Sequence, residues 1–408
     1  MKSEIEDTQE RLDAAGRAGG AARHGFRDAA RLRRASFLPH LLGLRGGRAA
    51  SSAVPAFLCA LCVFVVQSSA FAQDNPPAAE PAASAQNAPA ADEMTPELDT
   101  AVTQGLSWLA TQQNADGSFG GGRFGKNVAV TALSCLAFMG DGHVPGRGEY
   151  GENVRRGLEF VLSSCTETGL IASDATNGPM YGHGFATLFL GEVYGMTAGG
   201  GDTRLAERVH DALVKACRLI ERTQNEEGGW RYNPVPYDAD VSVTICQIMA
   251  MRSARNAGIE IPKQTIDKAV SYVRRCQNED GGFKYQLEVG VSAWPRSAAG
   301  VASLFYAGIY QDDALEKGVD YLLRSSLADS PGRSETHYWY GMYYCAQSMY
   351  LAGGERWATW WAAAREELLA RQAAGGSWND PSVGPAYGTS MALIVLQMPK
   401  RYLPIFQK

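Results

Sequence analysis

The chain has 408 residues, 45% of them apolar, with 38 Lys and Arg against 43 Asp and Glu and a net charge of −5. The first 72 residues carry ten basic and six acidic groups, which leaves 28 basic and 37 acidic residues, a net of −9, for the remainder. No basic stripe runs through that remainder, which argues against nucleic acid or an anionic membrane as its partner.

In chain order, the first 48 residues hold nine arginines and no apolar periodicity, so the fold does not begin there. Val54 to Val66 is an apolar run of 13 residues behind Arg45 and Arg48, and the small-x-small string Ala70-Phe71-Ala72 follows it. This reads as a secretory signal peptide cut between Ala72 and Gln73, too short to span a bilayer comfortably. A secreted or periplasmic location is therefore expected, with no membrane span after cleavage. Asp74 to Asp92 is dense in Pro and Ala and lacks large aliphatic residues, as a disordered linker does. The expected division is a preamble with signal peptide over 1–72, a linker over 73–96 and one globular domain over 97–408.

A repeated string organises that domain. Gln277-Asn278-Glu279-Asp280-Gly281-Gly282-Phe283 returns nearly intact at Gln224 to Trp230, and more loosely at Gln113 to Phe119 and Gln372 to Trp378. The glutamines are 224−113=111, 277−224=53 and 372−277=95 residues apart, a period near 50 with two decayed copies, near Cys165–Leu170 and Ser330–Tyr338. That makes six units, and 312/6=52 residues fits the span from Glu97 to Lys408. In each, an amphipathic pattern such as Thr265 to Cys276 precedes the turn, and an Ala- and Gly-rich apolar pattern such as Ser297 to Tyr306 follows it. The units read as outer helix, glycine turn and inner helix, which must stack on neighbours to bury their apolar faces.

These Gln-x-x-x-Gly-x-Phe/Trp strings resemble the repeat of squalene cyclases and of the β subunits of protein prenyltransferases. The inner-helix pattern Tyr387-Gly388-Thr389-Ser390-Met391-Ala392-Leu393 is similar too. The resemblance runs from about Glu97 to the C-terminus and implies an all-α fold, an α/α toroid of six helical hairpins. Polar and aromatic residues precede each inner helix, and in a closed ring they converge on one cavity mouth.

Asp238-Ala239-Asp240 is the sharpest chemical candidate. By its likeness to the Asp-x-Asp-Asp motif of squalene cyclases, Asp240 becomes the proton donor and Asp238 its partner, although Val241 stands where a third carboxylate belongs. The plainer reading is that one of them caps a helix. Likeness to prenyltransferases offers a zinc site instead, but oxygen replaces sulfur at Asp240, so only an irregular set of Asp238, Asp240, His183 and His337 remains. A glycan-active reading pairs carboxylates among Asp238, Asp240, Glu335 and Asp380 with Trp230, Trp294, Trp339 and Trp378. Trp230, Phe283 and Trp378 are more simply turn residues packed under the neighbouring hairpin. Ligand contacts are expected from Tyr181, His183, Tyr237, Trp294, His337, Trp339, Tyr340 and Tyr387, with no metal and no cofactor called for. The expected function is binding of an apolar small molecule or peptide in the mouth of a squalene-cyclase-like ring that has lost cyclase chemistry. The alternative is an active enzyme, terpenoid-cyclase or glycan-active, using Asp240 and Asp238.

Overall fold

A computed structural model describes residues 93–407, apart from 122–123, 174, 176–177, 198–201, 289, 331–332 and 334. The expected signal peptide, its cleavage site and the linker up to residue 92 lie outside the described residues. Outer helices α1 (Pro96–Thr111), α3 (Gly151–Ser163), α5 (Thr203–Arg222), α7 (Lys263–Arg275), α9 (Asp313–Ser325) and α11 (Gly354–Ala370) alternate with inner ones. The inner helices are α2 (Val128–Met139), α4 (Met180–Thr197), α6 (Val241–Asn256), α8 (Trp294–Tyr306), α10 (Tyr338–Ala352) and α12 (Pro385–Leu396). Among the described residues no strand forms, only isolated bridges beside turns.

The two classes bury different amounts of themselves. Outer helix α5 turns Val209, Leu213, Ala216, Cys217 and Ile220 inward and leaves its charged face to water. Inner helix α12 buries every residue from Gly388 to Leu396, because its neighbours cover it on all sides. Each inner helix packs against the next, and α12 packs against α2, so the ring closes.

The repeated string supplies the joints. The Gln224 amide donates to the carbonyl of Gly228 in its own turn (2.8 Å) and to that of Thr265 on the next outer helix (2.9 Å). Gln113 and Gln277 bond in the same way, and Gln372 reaches Ala101 of α1 (2.9 Å), which ties the last hairpin to the first. Gly228 sits at φ 105°, and a Cβ there would penetrate the Lys268 carbonyl of α7. Gly117, Gly169, Gly281 and Gly376 repeat that geometry against their own neighbours. A hydroxyl from four of the six inner helices then receives the aromatic residue's N–H: Thr131 for Phe119, Thr244 for Trp230, Ser297 for Phe283 and Thr389 for Trp378. Trp230, Phe283 and Trp378 are fully enclosed beneath these joints.

At the far end of the ring, the C-terminal segment is tied down by a buried carboxylate. Glu192 of α4 accepts from Ser253 of α6 (2.7 Å) and from the Ile405 N–H (3.0 Å), and burial pushes its pKa up to about 7. No helix among the described residues is long and apolar enough to cross a membrane.

Candidate functional site

The inner helices begin at one end of the ring, and there their burial is interrupted. Ala129, Tyr181, Ser242, Tyr340 and Tyr387 keep partial exposure, while the residues on either side of each are enclosed. They mark the mouth of the ring, a partly exposed recess among the inner-helix starts. Burial still holds the hydroxyls of Tyr181, Tyr340 and Tyr387 well above the ordinary tyrosine pKa. The Tyr340 hydroxyl donates across the recess to the Ser242 carbonyl (3.0 Å).

Below that level the ring is filled by its own side chains. Phe185 of α4 and Tyr343 of α10 meet edge to face, with centroids 6.0 Å apart, and the Tyr344 hydroxyl lies 3.3 Å from the Cys246 sulfur. Cys246 is six residues into α6 from Asp240, which places this floor about 9 Å down at 1.5 Å per residue. The shared hollow expected along the ring axis is thus closed at this depth by Phe185, Tyr343 and Tyr344.

Asp240 stands at the edge of the recess as the N-cap of α6. Its Oδ1 accepts the Val243 N–H (2.8 Å), as a capping aspartate should. Its Oδ2 is buried and makes no hydrogen bond of good geometry, although the Tyr285 hydroxyl and the Arg231 guanidinium lie close enough to act on its charge. The nearest cation is the Nε of Arg231, 3.7 Å away and itself unbonded. The Arg231 guanidinium is engaged elsewhere, donating through Nη1 to Asp238 and lying over the rings of Tyr232 (5.1 Å) and Tyr285 (5.8 Å). The hydroxyls of Tyr232 and Tyr285 bond to each other. Desolvation dominates at Asp240: it raises the carboxyl to about 6, against the pull of the Val243 amide, the Tyr285 hydroxyl and Arg231.

Residues 203–346 match the family model described as the prenyltransferase alpha-alpha toroid domain. The fold is an α/α toroid of the prenyltransferase and terpene-cyclase kind. Drimenyl diphosphate synthase from Streptomyces showdoensis is 27% identical to this toroid over 191 residues, 45% of this chain and 32% of that protein. The chain therefore spans about a third of the length of that curated relative. A type II terpene cyclase from Scytonema, solved with its substrate geranylgeranyl dihydroxybenzoate, superposes with a TM-score of 0.51 and 14% identity over 76% of this chain and 98% of its own. Cellobiose 2-epimerase from Bacillus thermoamylovorans gives 0.55 and 12% over 74% of this chain and all of its own (100%). At such identities both likenesses establish the toroid and nothing finer.

Of the residues expected at the mouth, the toroid gathers Tyr181, Tyr340, Tyr387, Asp238 and Asp240 around the recess or its edge. Tyr237 is 87% exposed on the loop that leads to Asp240. Trp294 and Trp339 are enclosed in the wall between hairpins, where Trp294 packs edge-on against Tyr338 and Trp339 donates to the Asn379 carbonyl (2.9 Å). His337 is an exposed N-cap residue of α10 in the left-handed region, φ 59°. Asp380 caps its own turn through the Ser382 and Val383 amides, and Glu335 pairs at the surface with Arg371, so neither is placed as the second carboxylate of a glycan-active pair.

His183 lies elsewhere. It occupies the position of the repeat's inner-helix hydroxyl, taking the Ile171 N–H at Nδ1 (3.2 Å) and approaching the Ala216 carbonyl with Nε2 (3.3 Å). Its burial lowers its pKa to about 4, the mark of a neutral joint. Among the described residues no group of three or more His, Cys, Asp or Glu is placed to hold a metal. Replacing His183 by Ala should cost about 2–4 kcal/mol, for an orphaned buried amide and a cavity, while ligand affinity at the mouth stays unchanged. Urea unfolding beside a binding titration checks both halves.

Arg231, Tyr232 and Tyr285 precede inner helices, as the converging residues do, but were not among the expected site residues. Arg231 directly follows the turn Trp230, and Tyr285 stands two residues after the turn Phe283. Both were available as neighbours of the repeat string, but only the fold brings two adjacent turns to one carboxylate.

Proposed function

We propose that this toroid is an enzyme of the type II terpene-cyclase kind, in which Asp240 protonates a carbon–carbon double bond of an isoprenoid. The observation that carries this reading is the divided carboxyl of Asp240: Oδ1 is spent on the cap, while Oδ2 is desolvated and makes no hydrogen bond of good geometry. A pKa near 6 keeps part of the population protonated at neutral pH, as an acid catalyst requires. The proton leaves Oδ2 for the alkene carbon, a C–H bond forms, and the positive charge moves onto the substrate. Two aromatic rings beside Asp240, Tyr232 and Tyr285, are already faced by Arg231. The electron-rich faces left to steady the cation belong to Tyr181, Tyr340 and Tyr387. The cation then loses a proton from a neighbouring carbon to water at the mouth, closing a new carbon–carbon double bond, and Asp240 takes a proton back from solvent once the product has left.

Two features narrow the substrate. On the signal-peptide reading the protein works outside the cytoplasm, away from prenyl diphosphates. Beside the recess, Arg231 is committed to Asp238, and Arg296 to the carbonyls of Phe283 and Val291. A neutral polyene suits that mouth better than a diphosphate. Because Oδ2 is enclosed, the 231–240 loop must lift for a substrate carbon to reach it.

A second reading, a binding module without turnover, is favoured by that same enclosure and by the filled ring axis. One experiment separates them. The mature chain is incubated with neutral isoprenoids of ten to twenty carbons in D2O, and extracts are analysed by mass spectrometry. Cyclisation started by Asp240 gives a product carrying one deuterium from the exchanged carboxyl. Bound but unchanged isoprenoid leaves the binding module standing, and a cyclised product without deuterium refutes acid initiation.

A further inference from the structure

We propose that Arg231 is a positioning residue shared between two carboxylates, Asp238 and Asp240, and that its partition between them sets when Asp240 holds a proton. Its catalytic meaning rests on the cyclase reading, but the partition itself is read without substrate.

The argument begins with two orphaned atoms. Nε of Arg231 and Oδ2 of Asp240 are both buried, neither makes a hydrogen bond, and they face each other at 3.7 Å. A buried guanidinium N–H and a buried carboxylate oxygen each destabilise the fold when left without a hydrogen bond, so the pair has reason to close. What holds it open is the other end of the same guanidinium. Nη1 is bonded to Asp238, whose carboxyl remains 37% exposed at the loop surface. The rings of Tyr232 and Tyr285 flank the guanidinium, so its plane can slide between the two carboxylates without leaving their faces.

The two positions have opposite consequences. With Arg231 held on Asp238, Asp240 feels mainly its own desolvation and keeps its proton. With Arg231 moved to Asp240, a full charge-assisted bond stabilises the carboxylate and the proton is released. After proton transfer to a substrate, the new Asp240 anion therefore has a counter-ion a fraction of an ångström beyond bonding distance. This assigns the third carboxylate's missing place a different solution: a cation that arrives after the proton leaves.

The test follows the ionisation of Asp240 directly, by carbon NMR of aspartate-labelled mature protein, with Asp240→Asn identifying its signal. Arg231→Gln should raise the midpoint by about one pH unit or more, because the nearby cation is gone. Asp238→Asn should lower it by a comparable amount, because the guanidinium is released toward Asp240. Arg231→Lys should recover part of the Arg231→Gln change. Loss of the Asp238 anion lowers the midpoint by charge alone, so the deciding variant is Asp238→Asn in the Arg231→Gln background: partition requires its effect to shrink there, and an undiminished shift overturns the proposal. Midpoints that stay put, or move in the same direction in Arg231→Gln and Asp238→Asn, overturn the proposal. Should Arg231→Gln fail to fold, an unmoved midpoint in Asp238→Asn overturns it alone. Failure of the wild-type chain to turn over any isoprenoid sinks the enzyme reading and leaves this result untouched.

Discussion

Replacing Asp240 by Asn will abolish turnover and make the protein more stable at pH 8. Both effects come from one group. As a general acid, the carboxyl is worth about a hundred- to ten-thousandfold in rate, and an amide cannot replace it. As a desolvated anion, it is a burden on the fold. Its pKa is about 6 in the native state against an ordinary 3.8, so the folded chain binds a proton that the unfolded chain has already released. Stability therefore falls as pH rises from about 4 to about 6, and above 6 the whole penalty is in place. A rise of about two pH units at about 1.36 kcal/mol each amounts to about 3 kcal/mol. Asparagine caps a helix as well as aspartate does, so the Val243 bond survives. Its Nδ2 would face the Arg231 N–H donor to donor, which takes back part of the gain. The expected result is a stabilisation of about 2–3 kcal/mol at pH 8 that vanishes at pH 4. Urea unfolding of both proteins at the two pH values measures it. Equal stability at pH 8 would mean that Asp240 is not charged and desolvated in the native state, and the acid assignment would go with it.

This trade of stability for a poised acid explains which parts of the protein were legible in its sequence. The joints were legible because they repeat: Gln224, Gly228 and Trp230 do the same work as Gln277, Gly281 and Phe283, so position announces role. His183 was misleading for the opposite reason. It fills a slot that is Thr131, Thr244, Ser297 or Thr389 in other units, and a lone histidine beside a tyrosine reads as chemistry until its two backbone partners are visible. His337 and Tyr237 stand just before inner helices whose first turns carry the mouth residues in other units, but they lie on the exposed approaches. Sequence order could place them near a helix start without telling which side of it they face. The Asp-x-Asp string was found, yet its environment was not, since Arg231 and Tyr285 belong to consecutive turns that meet only when the hairpins stack. The filled axis was equally hidden. Phe185, Tyr343 and Tyr344 sit in ordinary apolar helix patterns, and nothing in their spacing reveals that they meet across the ring rather than between neighbours.

The joints can be tested without reference to any ligand, and the largest loss of stability is expected at one of them. Gly228 and Gly258 adopt nearly the same backbone, φ 105° and 91°, but differ in what surrounds them. Nothing lies within 4 Å of a Cβ built at Gly258, behind the C-terminus of α6. At Gly228 that Cβ would enter the Lys268 carbonyl oxygen, with the Lys268 carbon at 2.7 Å. Gly258→Ala should therefore cost only the left-handed backbone of an L residue, about 1–2 kcal/mol. Gly228→Ala carries the same strain and must also push α7 away from the turn. That displacement breaks the Gln224 bond to the Thr265 carbonyl and lifts Trp230 from beneath the hairpin. A loss above about 4 kcal/mol is expected, a large share of the 5–15 kcal/mol that a domain usually has. Because a closed ring needs all its interfaces, the damage should not stay local: unfolding of Gly228→Ala should begin at lower urea and spread over a broader transition, as units separate one by one. Equal costs at the two glycines would show that the turns are not what holds one hairpin to the next, and that ring closure rests on the apolar packing of the inner helices alone.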